Sequence, residues 1–271
     1  MTSPGKTRLM QAPYLNRLTG VKESVLTVGC LMPGNTYSKI SLIYDDLVRH
    51  VNYSGWAEYL QNIIDEYNIS HDVVLELASG TGKLFSKLNI VTRLKILSDI
   101  SIEMLTHIDK SNSRVCFDMT LIPFKRECDL VISSFDSVNH LESESHLNSL
   151  FAEVNRTLKP GGYFLFDVVT EHNSFSYLDS YSKKRKTGDM KYQQSSEYDA
   201  IKKRHRNRFL ITFPSGEVVE EDHFEYIFPQ ETIIALCESN NFKVVGTFEA
   251  FTGKKVTENT LRIQYIIRSN G

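Results

Sequence analysis

A glycine-rich loop is the part of the sequence that most clearly could do chemistry. It reads Glu-Leu-Ala-Ser-Gly-Thr-Gly from Glu76 to Gly82 and overlaps the end of the apolar run Val73–Leu77. Its two glycines allow a tight turn and a close approach of the backbone to a ligand, and the helix N-terminus that follows favours negative charge. A dinucleotide fingerprint would need a third glycine where Phe85 stands, and no phosphate-loop Gly-Lys-Ser/Thr is present. The loop is therefore predicted to bind a carboxylate or a ribose rather than a pyrophosphate.

Two acidic residues stand at the ends of the next two apolar runs. Asp99 follows Leu94–Leu97, and Asp118 follows Arg114–Phe117. In doubly wound nucleoside-binding folds an acid at the end of the second strand binds the ribose hydroxyls, and an ionised carboxylate can accept both hydroxyl protons. Asp118 is predicted to reach an exocyclic amine of a base. Either acid alone could be a helix cap or a turn residue, but both together with the glycine-rich loop predict a nucleoside site.

A histidine after the fourth apolar run is the candidate for proton transfer. The run Cys128–Phe135 is followed by a polar loop that contains Asp136 and His140. Because ligands of open α/β sheets bind beyond the carboxyl ends of the strands, this loop is predicted to lie near the reacting centre. His140 is predicted to take a proton from an amine or a hydroxyl, or to orient it, with Asp136 holding the imidazole in one tautomer if the two side chains converge. The alternative is a loop histidine that only supports the scaffold.

Hydrophobic periodicity predicts the elements that carry these residues. The predicted strands cover residues 73–77, 94–97, 114–117, 128–135 and 163–169, and the predicted helices cover residues 44–67 (in two pieces), 101–108 and 144–158, the last stopped by Lys159–Gly162. Strands that alternate with helices in this way are typical of βαβ units and a doubly wound α/β sheet. A helix over 230–240 and two strands over 243–251 and 261–268 complete the pattern. The loop between these last strands is short, so they are predicted to pair antiparallel at the edge of the sheet.

Between the strand that ends at residue 169 and the helix that begins at residue 230, strands and helices do not alternate. Residues 172–228 are polar, charged and rich in aromatic residues, and the turn signal Pro214–Gly216 separates two alternating segments. This pattern predicts an inserted antiparallel β lid, which would act as a substrate cap. The predicted domain organisation is a partly irregular N-terminal extension over 1–38, a ligand-binding domain formed by 39–171 and 229–271, and the lid over 172–228.

Composition excludes several classes of protein. The chain has 271 residues, of which 41% are hydrophobic and 24% are charged, as expected of a globular protein with a full core. No apolar run approaches the ~20 residues needed to cross a bilayer, so no membrane association is expected. The four cysteines include no Cys-x-x-Cys pair, and the sequence shows no cluster of metal ligands. We therefore expect reduced thiols, no metal and a cytoplasmic location.

Charge disfavours nucleic acid as a partner without excluding it. Lys+Arg number 31 and Asp+Glu number 33, so the net charge is −2 and the global basic footprint of a nucleic-acid binder is missing. Two basic runs, Lys183–Lys186 and Lys202–Arg208, still raise the question of RNA. The second is predicted to pair across a hairpin with the acidic stretch Glu217–Glu225. Such cross-strand ion pairs, worth ~0.2–1 kcal/mol each, would absorb much of its charge.

Together these motifs resemble the class I S-adenosylmethionine-dependent methyltransferases, over about residues 40–268. The resemblance rests on the loop Glu76–Gly82, the acid in Leu97-Ser98-Asp99-Ile100-Ser101, the pair Asp118-Met119 and the segment Leu158–Gly162 before the fifth strand. The opening segment, with Tyr44 and Trp56, is similar to the small-molecule and YqeM-like branch. Ser79 departs mildly from the Cys or Gly of many members, and the insert matches no substrate motif.

The resemblance implies S-adenosyl-L-methionine as the cofactor and a Rossmann-like seven-stranded sheet with an antiparallel last strand pair. It implies that Glu76–Gly82 holds the methionine part of the cofactor, Asp99 the ribose and Asp118-Met119 the adenine. Tyr44 and Trp56 would cover the methionine end, unless they only pack helices. The cofactor-binding residues expected in this way are Tyr44, Trp56, Glu76, Ala78, Ser79, Gly80, Gly82, Asp99, Ile100, Met104, Asp118, Met119 and Ser134.

The function expected from the resemblance is in-line transfer of a methyl group to a nitrogen or oxygen atom of a small-molecule acceptor, by a monomer or a homodimer. His140 and Asp136 are the expected catalytic residues, and some sugar-amine N-methyltransferases of this family look similar at His140. Two alternatives remain open. One is an RNA-modifying methyltransferase that uses the basic runs, and the other is a non-catalytic module that keeps the cofactor site for binding a partner.

Overall fold

Two β-sheets with their surrounding helices make up the described part of the protein. The computed structural model describes residues 26–27, 37, 39–175, 177 and 181–271, so most of the predicted extension over 1–38 lies outside the described residues. Within these ranges the strands are β1 (Leu26–Thr27), β2 (Val73–Glu76), β3 (Leu94–Asp99), β4 (Ser113–Cys116), β5 (Cys128–Ser133), β6 (Leu158–Val169), β7 (Tyr181–Thr187), β8 (Met190–Asp199), β9 (Arg204–Thr212), β10 (Val218–Tyr226), β11 (Phe242–Glu249) and β12 (Arg262–Ser269). The α-helices are α1 (Tyr44–Leu47), α2 (Tyr53–Glu66), α3 (Lys83–Lys87), α4 (Ile102–Thr106), α5 (Glu144–Thr157), α6 (Glu171–Phe175) and α7 (Gln230–Ser239), and two 3-10 helices cover Ile40–Leu42 and Ser137–His140.

The larger sheet, which we call the large sheet, has the strand order β1-β4-β3-β2-β5-β6-β12-β11. Neighbouring strands from β1 to β6 pair in parallel, whereas β12 lies antiparallel between β6 and β11. This is the expected seven-stranded doubly wound sheet with an antiparallel last pair, so the predicted fold class is confirmed. The two-residue strand β1, which pairs with β4 at the far edge, is an addition that the sequence pattern does not predict.

The central strands are buried on both faces, which explains their near-continuous apolar runs. In β2 the side chains of Val74 and Leu75 are both fully buried, and they belong to two hydrophobic clusters on opposite faces of the sheet. Helix α2 covers one face with Leu60 and Ile64, and α5 covers the other with the stripe that includes Leu147. The packed core thus fixes the positions of the carboxyl ends of β2 to β5.

The helix boundaries agree with the sequence pattern at Ser101 but differ from it after α5. Ser101, where the predicted helix 101–108 begins, is the N-cap of α4, because its side-chain oxygen accepts a hydrogen bond from the backbone nitrogen of Met104 at 3.3 Å. The segment Lys159–Gly162 is not a separate stop after α5, because it belongs to β6, which begins where Leu158 pairs with Cys128 of β5. Within the described ranges, the helices are too short or too polar to span a membrane.

The predicted insert contains a separate four-stranded antiparallel sheet with the order β10-β9-β8-β7. We call it the small sheet. Its strands β9 and β10 form the hairpin expected around Pro214–Gly216, with Thr212 opposite Val218.

One face of the small sheet is buried against the segment that precedes α1. Tyr192, Phe209 and Ile211 of the small sheet share a hydrophobic cluster with Ile40 and Ile43. The small sheet is therefore attached to the rest of the fold through side-chain packing as well as through the chain itself.

The two basic runs lie on or directly before strands β7 and β9 of the small sheet. Arg206 pairs with Asp222 at 2.5 Å and Arg208 pairs with Glu220 at 3.0 Å, so the predicted ion pairs of the second run are present. The first run, Lys183–Lys186, lies on the edge strand β7, where its lysines are exposed. Arg206 and Arg208, two of the nine Lys and Arg residues in these runs, are thus paired within the small sheet.

Candidate active site

A cleft of about 450 Å³ opens beyond the carboxyl ends of β2, β3, β4 and β5, where open α/β sheets bind their ligands. Such a volume is within the ~300–1,000 Å³ of small-molecule sites. Strand β10 of the small sheet forms one side of the cleft, through Asp222, Phe224 and Tyr226. The predicted site residues that line the cleft are Tyr44, Glu76, Ala78, Ser79, Gly80, Asp99, Ile100, Met104, Asp118, Met119 and His140.

The glycine-rich loop turns through three left-handed residues. The backbone angle φ is 51° at Ala78, 55° at Gly80 and 73° at Gly82. A Cβ atom on Gly82 would lie 3.0 Å from the side chains of Leu97 and Ile108. Gly82 therefore allows the loop to pack closely against the fold, whereas Gly80 brings the backbone to the cleft.

Glu76 is a buried acid at the floor of the cleft. Its side chain is 3% exposed, and its Oε2 atom has no hydrogen-bond partner among the described residues. Burial, with a smaller contribution from the charge of Asp99, raises the pKa of Glu76 to about 8. An unpaired carboxyl oxygen that faces a cleft is a place for a ligand's cation or hydrogen-bond donor.

Asp99 joins the glycine-rich loop to β3 and also faces the cleft. Its Oδ2 accepts a hydrogen bond from the backbone nitrogen of Gly80 at 2.8 Å, and its Oδ1 accepts one from the backbone nitrogen of Ser101 at 2.9 Å. Burial raises the pKa of Asp99 to about 6, although these hydrogen bonds oppose the shift. Each oxygen keeps a further lone pair, so the carboxylate can still accept hydroxyl protons from a ligand.

Asp118 is both a turn residue and a residue of the cleft. Its Oδ1 accepts hydrogen bonds from the backbone nitrogen and the hydroxyl of Thr120, both at 2.8 Å. It lines the cleft together with Met119. Met104 also lines the cleft, and it is 2% exposed because it packs in the cluster that Ile40 shares with the small sheet.

Four predicted residues do not line the cleft: Trp56, Gly82, Ser134 and Asp136. The ring of Trp56 lies 4.5 Å from the rings of both Phe135 and Phe251, so aromatic packing accounts for it. Ser134 is buried, and its carbonyl oxygen accepts a hydrogen bond from the hydroxyl of Ser137 at 2.7 Å.

The expected contact between Asp136 and His140 does not form, so this part of the prediction is wrong. Oδ1 of Asp136 instead accepts a hydrogen bond from Nη2 of Arg262 at 2.7 Å, and the same guanidinium pairs with the buried Asp167. Left-handed φ angles at Phe135 (60°) and Asp136 (53°) direct the backbone so that the carboxylate meets β12 rather than the imidazole. Non-glycine residues seldom adopt this conformation, so residue spacing does not reveal it.

His140 is held by a strand of the small sheet. Its Nδ1 lies 2.9 Å from the carbonyl oxygen of Phe224, and its Nε2 lies 3.2 Å from the hydroxyl of Tyr37. Because a carbonyl oxygen can only accept, Nδ1 must carry the proton. Burial lowers the pKa of His140, so the imidazole is neutral at pH 7 and its Nε2 is an acceptor. The Tyr37 hydroxyl therefore donates to Nε2 inside the cleft.

Tyr37 is a residue of the cleft that the sequence analysis misses. It lies in the predicted irregular extension, where neither a periodicity nor a motif marks it. Its ring is 4.1 Å from the ring of His223 and 6.0 Å from that of His140. A tyrosine shortly before Tyr44 is a weak signal that could have pointed to it.

A partly buried acid of β10, Glu221, fixes the segment that follows Tyr37. Oε2 of Glu221 accepts hydrogen bonds from the backbone nitrogens of Lys39 at 3.1 Å and Ile40 at 3.2 Å, and its Oε1 lies 2.9 Å from Nε2 of His223. Although burial opposes the shift, these partners lower the pKa of Glu221. The small sheet thus sets the position of Tyr37 over the cleft.

The groups of the cleft fit the cofactor that the resemblance implies. The unpaired oxygen of Glu76 can face a cation such as an ammonium or sulfonium group, and the free lone pairs of Asp99 can face vicinal hydroxyls. Met104 and Met119 offer apolar surface for a base beside Asp118. S-adenosylmethionine carries all three kinds of group. No set of three or more His, Cys, Asp or Glu residues in the described ranges is arranged to hold a metal ion.

Comparisons with known proteins point to the same cofactor. Residues 75–166 match a family described as "Methyltransferase domain". YqeM of Bacillus subtilis (strain 168), a provisionally assigned methyltransferase, is 26% identical over 242 residues, which cover 84% of this chain and 94% of YqeM. An S-adenosylmethionine-dependent methyltransferase from Clostridium acetobutylicum ATCC 824 has a similar structure, with a TM-score of 0.74 and 24% identity over 88% of this chain and 100% of that one. The sugar N-methyltransferase KedS8 from Streptoalloteichus sp ATCC 53650 gives a TM-score of 0.70 and 17% identity over 88% of this chain and 94% of that one.

The match covers the part of the chain that builds the side of the cleft formed by β2 to β5. It begins in β2, before the glycine-rich loop, and ends in β6, so it includes Asp99, Asp118 and His140. The resemblance found in the sequence, the cofactor and the enzyme class are confirmed, and the non-catalytic alternative loses its support. The chain thus contains a methyltransferase domain over residues 75–166 and is similar over most of its length to S-adenosylmethionine-dependent methyltransferases.

Proposed function

We propose that this methyltransferase acts on a nitrogen or oxygen atom of a small-molecule acceptor, with an amine as the preferred acceptor. The observation that carries the proposal is the 2.9 Å distance between Nδ1 of His140 and the carbonyl oxygen of Phe224, from which the tautomer of His140 follows. Its Nδ1–H is committed to the carbonyl oxygen of Phe224, so its Nε2 presents a lone pair to the cleft. That lone pair can accept a hydrogen bond from an N–H or O–H group and then take the proton.

His140 has two tasks in the transfer. When bound, S-adenosylmethionine would supply a methyl group on a positively charged sulfur, and this sulfur would keep the electron pair of the carbon–sulfur bond. By binding the hydrogen of the acceptor atom, His140 orients the lone pair of that atom. As the new bond to carbon forms, the proton passes from the acceptor to Nε2. Correct alignment can contribute ~7–11 kcal/mol, and a positioned base ~10²–10⁴-fold in rate.

Tyr37 indicates where the reacting atom of the acceptor binds. Its hydroxyl donates to Nε2 of His140 at 3.2 Å, as the N–H or O–H of an acceptor would. We infer that the acceptor takes the place of this hydroxyl. The Tyr37 ring would then move aside or stack beside the acceptor.

The charge of the cleft supports an amine over an anionic acceptor. Its described lining contains the carboxyl groups of Asp99, Asp118 and Glu142. It also contains Glu76, whose pKa of about 8 leaves it mostly protonated at pH 7, and Asp222, which is paired with Arg206. The lysine of this lining, Lys83, lies 2.9 Å from Asp45 and is already paired. A protonated amine would be attracted into such a cleft and must lose one proton there before its lone pair can attack the methyl carbon, whereas a phosphate or carboxylate would be repelled. KedS8, which has a similar fold, is named for sugar N-methylation, and an amine acceptor here is consistent with that name.

We assign the cofactor side of the cleft to the large sheet and the acceptor side to the small sheet. Asp99 would bind the ribose and Asp118 with Met119 the adenine, while Glu76 would face the cationic methionine part. Phe224 and its neighbours on β10 would form the acceptor wall beside His140. The chain then divides into a cofactor-binding part, 39–171 and 229–271, and an acceptor-binding insert over 172–228.

Transfer of a labelled methyl group to a panel of primary amines, alcohols and tRNA tests this proposal. We expect amines to be methylated, with a rate about 10²-fold lower in His140→Ala. His107→Ala, at an exposed histidine outside the cleft, is the control and should keep the wild-type rate. Methylation of tRNA without any amine or alcohol product would contradict the proposal and favour an RNA-modifying enzyme.

A further inference from the structure

Asn139 lies next to His140 and joins three parts of the fold. Its side chain is 0% exposed. Oδ1 of Asn139 accepts a hydrogen bond from the backbone nitrogen of Val169 at 3.0 Å, and Nδ2 donates to the carbonyl oxygens of Val169 at 3.3 Å and Tyr226 at 2.9 Å. A backbone nitrogen can only donate and a carbonyl can only accept, so the two ends of the amide cannot be exchanged. The side chain therefore ties the end of β6 to the end of β10.

Asn139 and His140 bind the same edge of β10. Their partners, the carbonyl oxygens of Tyr226 and Phe224, belong to alternate residues of one strand and point to the same side. The other edge of β10 pairs with β9. Two consecutive side chains of the 3-10 helix Ser137–His140 thus supply the hydrogen-bond donors that a further strand would otherwise provide.

Other contacts of β10 lie at both ends of the strand. Glu221 binds the backbone nitrogens of Lys39 and Ile40 in its first half, and Ile227, directly after the strand, packs in a cluster with Val169 of β6. Asn139 is the neighbour of His140 that holds the C-terminal end of the strand, next to the carbonyl of Phe224.

This arrangement affects which ring nitrogen of His140 carries the proton. In a neutral histidine, the hydrogen bond at one ring nitrogen decides which nitrogen carries the proton. For His140 that bond is made to Phe224, whose position depends on β10. We propose that Asn139 is a positioning residue that locks β10 against the large sheet and so keeps His140 in the Nδ1–H tautomer, with Nε2 facing the acceptor. The catalytic part of this inference rests on the proposed function, but its structural part does not require an acceptor.

Asn139→Asp is the most selective variant. The aspartate side chain has the same shape and can still accept the hydrogen bond from Val169, but an ionised carboxylate offers no N–H to Tyr226. Gln264→Glu is the matched control, because Gln264 is a buried amide, 1% exposed, that donates to the carbonyl oxygens of Phe166 and Tyr265 in the large sheet. Both variants remove the donors of a buried amide, so a general loss of stability would affect both.

Nitrogen-15 NMR of the histidine rings measures the tautomer in the full chain without cofactor, at about pH 9 to keep the new carboxylate ionised. The signals of His140 are identified by their absence in His140→Gln. We expect the Nδ1–H tautomer in the wild type and in Gln264→Glu, and its loss in Asn139→Asp. With an acceptor, kcat should fall about tenfold further in Asn139→Asp than in Gln264→Glu, within the range that a misplaced base allows, while KM for S-adenosylmethionine stays the same.

An unchanged Nδ1–H tautomer in folded Asn139→Asp would overturn the inference, as would an Nε2–H tautomer in the wild type. If Asn139→Asp does not fold, Asn139→Ser replaces it, because its hydroxyl is too short to span the distance to Tyr226. A tautomer that changes as expected, in a protein that methylates no tested acceptor, would support the role of Asn139 and contradict the proposed function.

Discussion

Asp99 accepts a hydrogen bond from the backbone nitrogen of Gly80 at 2.8 Å. The acid assigned to the ribose therefore also fixes the loop assigned to the methionine part of the cofactor. Loss of this carboxylate would remove ligand contacts and release the loop at the same time. The two halves of the proposed cofactor site are thus coupled through one side chain.

We expect Asp99→Ala to weaken S-adenosylmethionine binding at least tenfold, about 1.4 kcal/mol. The physical reason is the loss of two charge-assisted hydrogen bonds to the ribose, each stronger than a neutral one. Titration calorimetry measures the change. Asp109→Ala, at an exposed acid outside the cleft, is the control. Wild-type affinity in a folded Asp99→Ala would remove the basis for the ribose assignment.

Glu76 should make the folded state less stable as the pH rises. Burial raises its pKa from 4.5 to about 8, so the folded chain binds this proton more tightly than the unfolded chain. The resulting contribution to stability is complete below the unfolded pKa and is lost as the pH rises through about 8. In Glu76→Gln the free energy of unfolding should therefore decline less between about pH 5 and about pH 9. Urea unfolding across this range tests the prediction, and parallel curves for the two proteins would refute it.

The dependence of kcat on pH should report His140. Its base form is required, and burial lowers its pKa below the ordinary 6.5. We therefore expect kcat to be retained at pH 6.5 and to fall only at more acidic pH, where Nε2 becomes protonated. This acidic limb should disappear in His140→Gln, which can orient an acceptor but cannot take its proton at neutral pH. An identical limb in that variant would assign the titration to another group.

Tyr37→Phe should show whether the Tyr37 hydroxyl only occupies the place of the acceptor or also passes the proton to His140. If the acceptor displaces the Tyr37 hydroxyl, removal of the hydroxyl eliminates a competitor for Nε2 of His140. We expect KM for the acceptor to fall by about 2–5-fold, the equivalent of one modest hydrogen bond, with kcat nearly unchanged. Steady-state kinetics measures both constants. A fall of kcat comparable to that in His140→Ala would instead make the hydroxyl part of the proton path.

Replacement of Tyr181–Tyr226 by a Gly-Ser linker should spare cofactor binding and abolish turnover. The glycine-rich loop and Asp99 belong to the large sheet, whereas His140 loses the carbonyl that sets its tautomer. Calorimetry with S-adenosylmethionine and the methyl-transfer assay measure the two properties. A variant that still methylates the acceptor would show that the small sheet is not the acceptor wall.

The large sheet can be predicted because its pattern is local. Strands such as β2 are buried on both faces and so appear as continuous apolar runs. The acid of Asp99 and the turn at Gly80 stand directly at strand ends, where the fold places ligands. The residues of the proposed cofactor side of the cleft can therefore be predicted from short stretches of sequence.

The acceptor side depends on contacts between distant segments, which no local pattern records. His140 meets Phe224, and Tyr37 meets His223, only because the small sheet folds back over the cleft. Asp136 was expected beside His140, but the left-handed backbone at that turn sends its carboxylate to another partner. The residue types at this turn indicated that it lies near the cleft, but they did not reveal where the Asp136 side chain points.

The position of β12 constrains the order in which the protein assembles. Among the described strands it comes last in the chain, yet it lies inside the large sheet, between β6 and β11. Strand β11 therefore cannot join the sheet before β12 is in place, and Arg262 of β12 supplies the guanidinium that holds Asp136. Pairing of distant segments carries a larger loop-closure cost than local pairing. We therefore expect the loop of the proposed cofactor site to form with the early strands, and the proposed acceptor side to be completed only when the last described strand inserts.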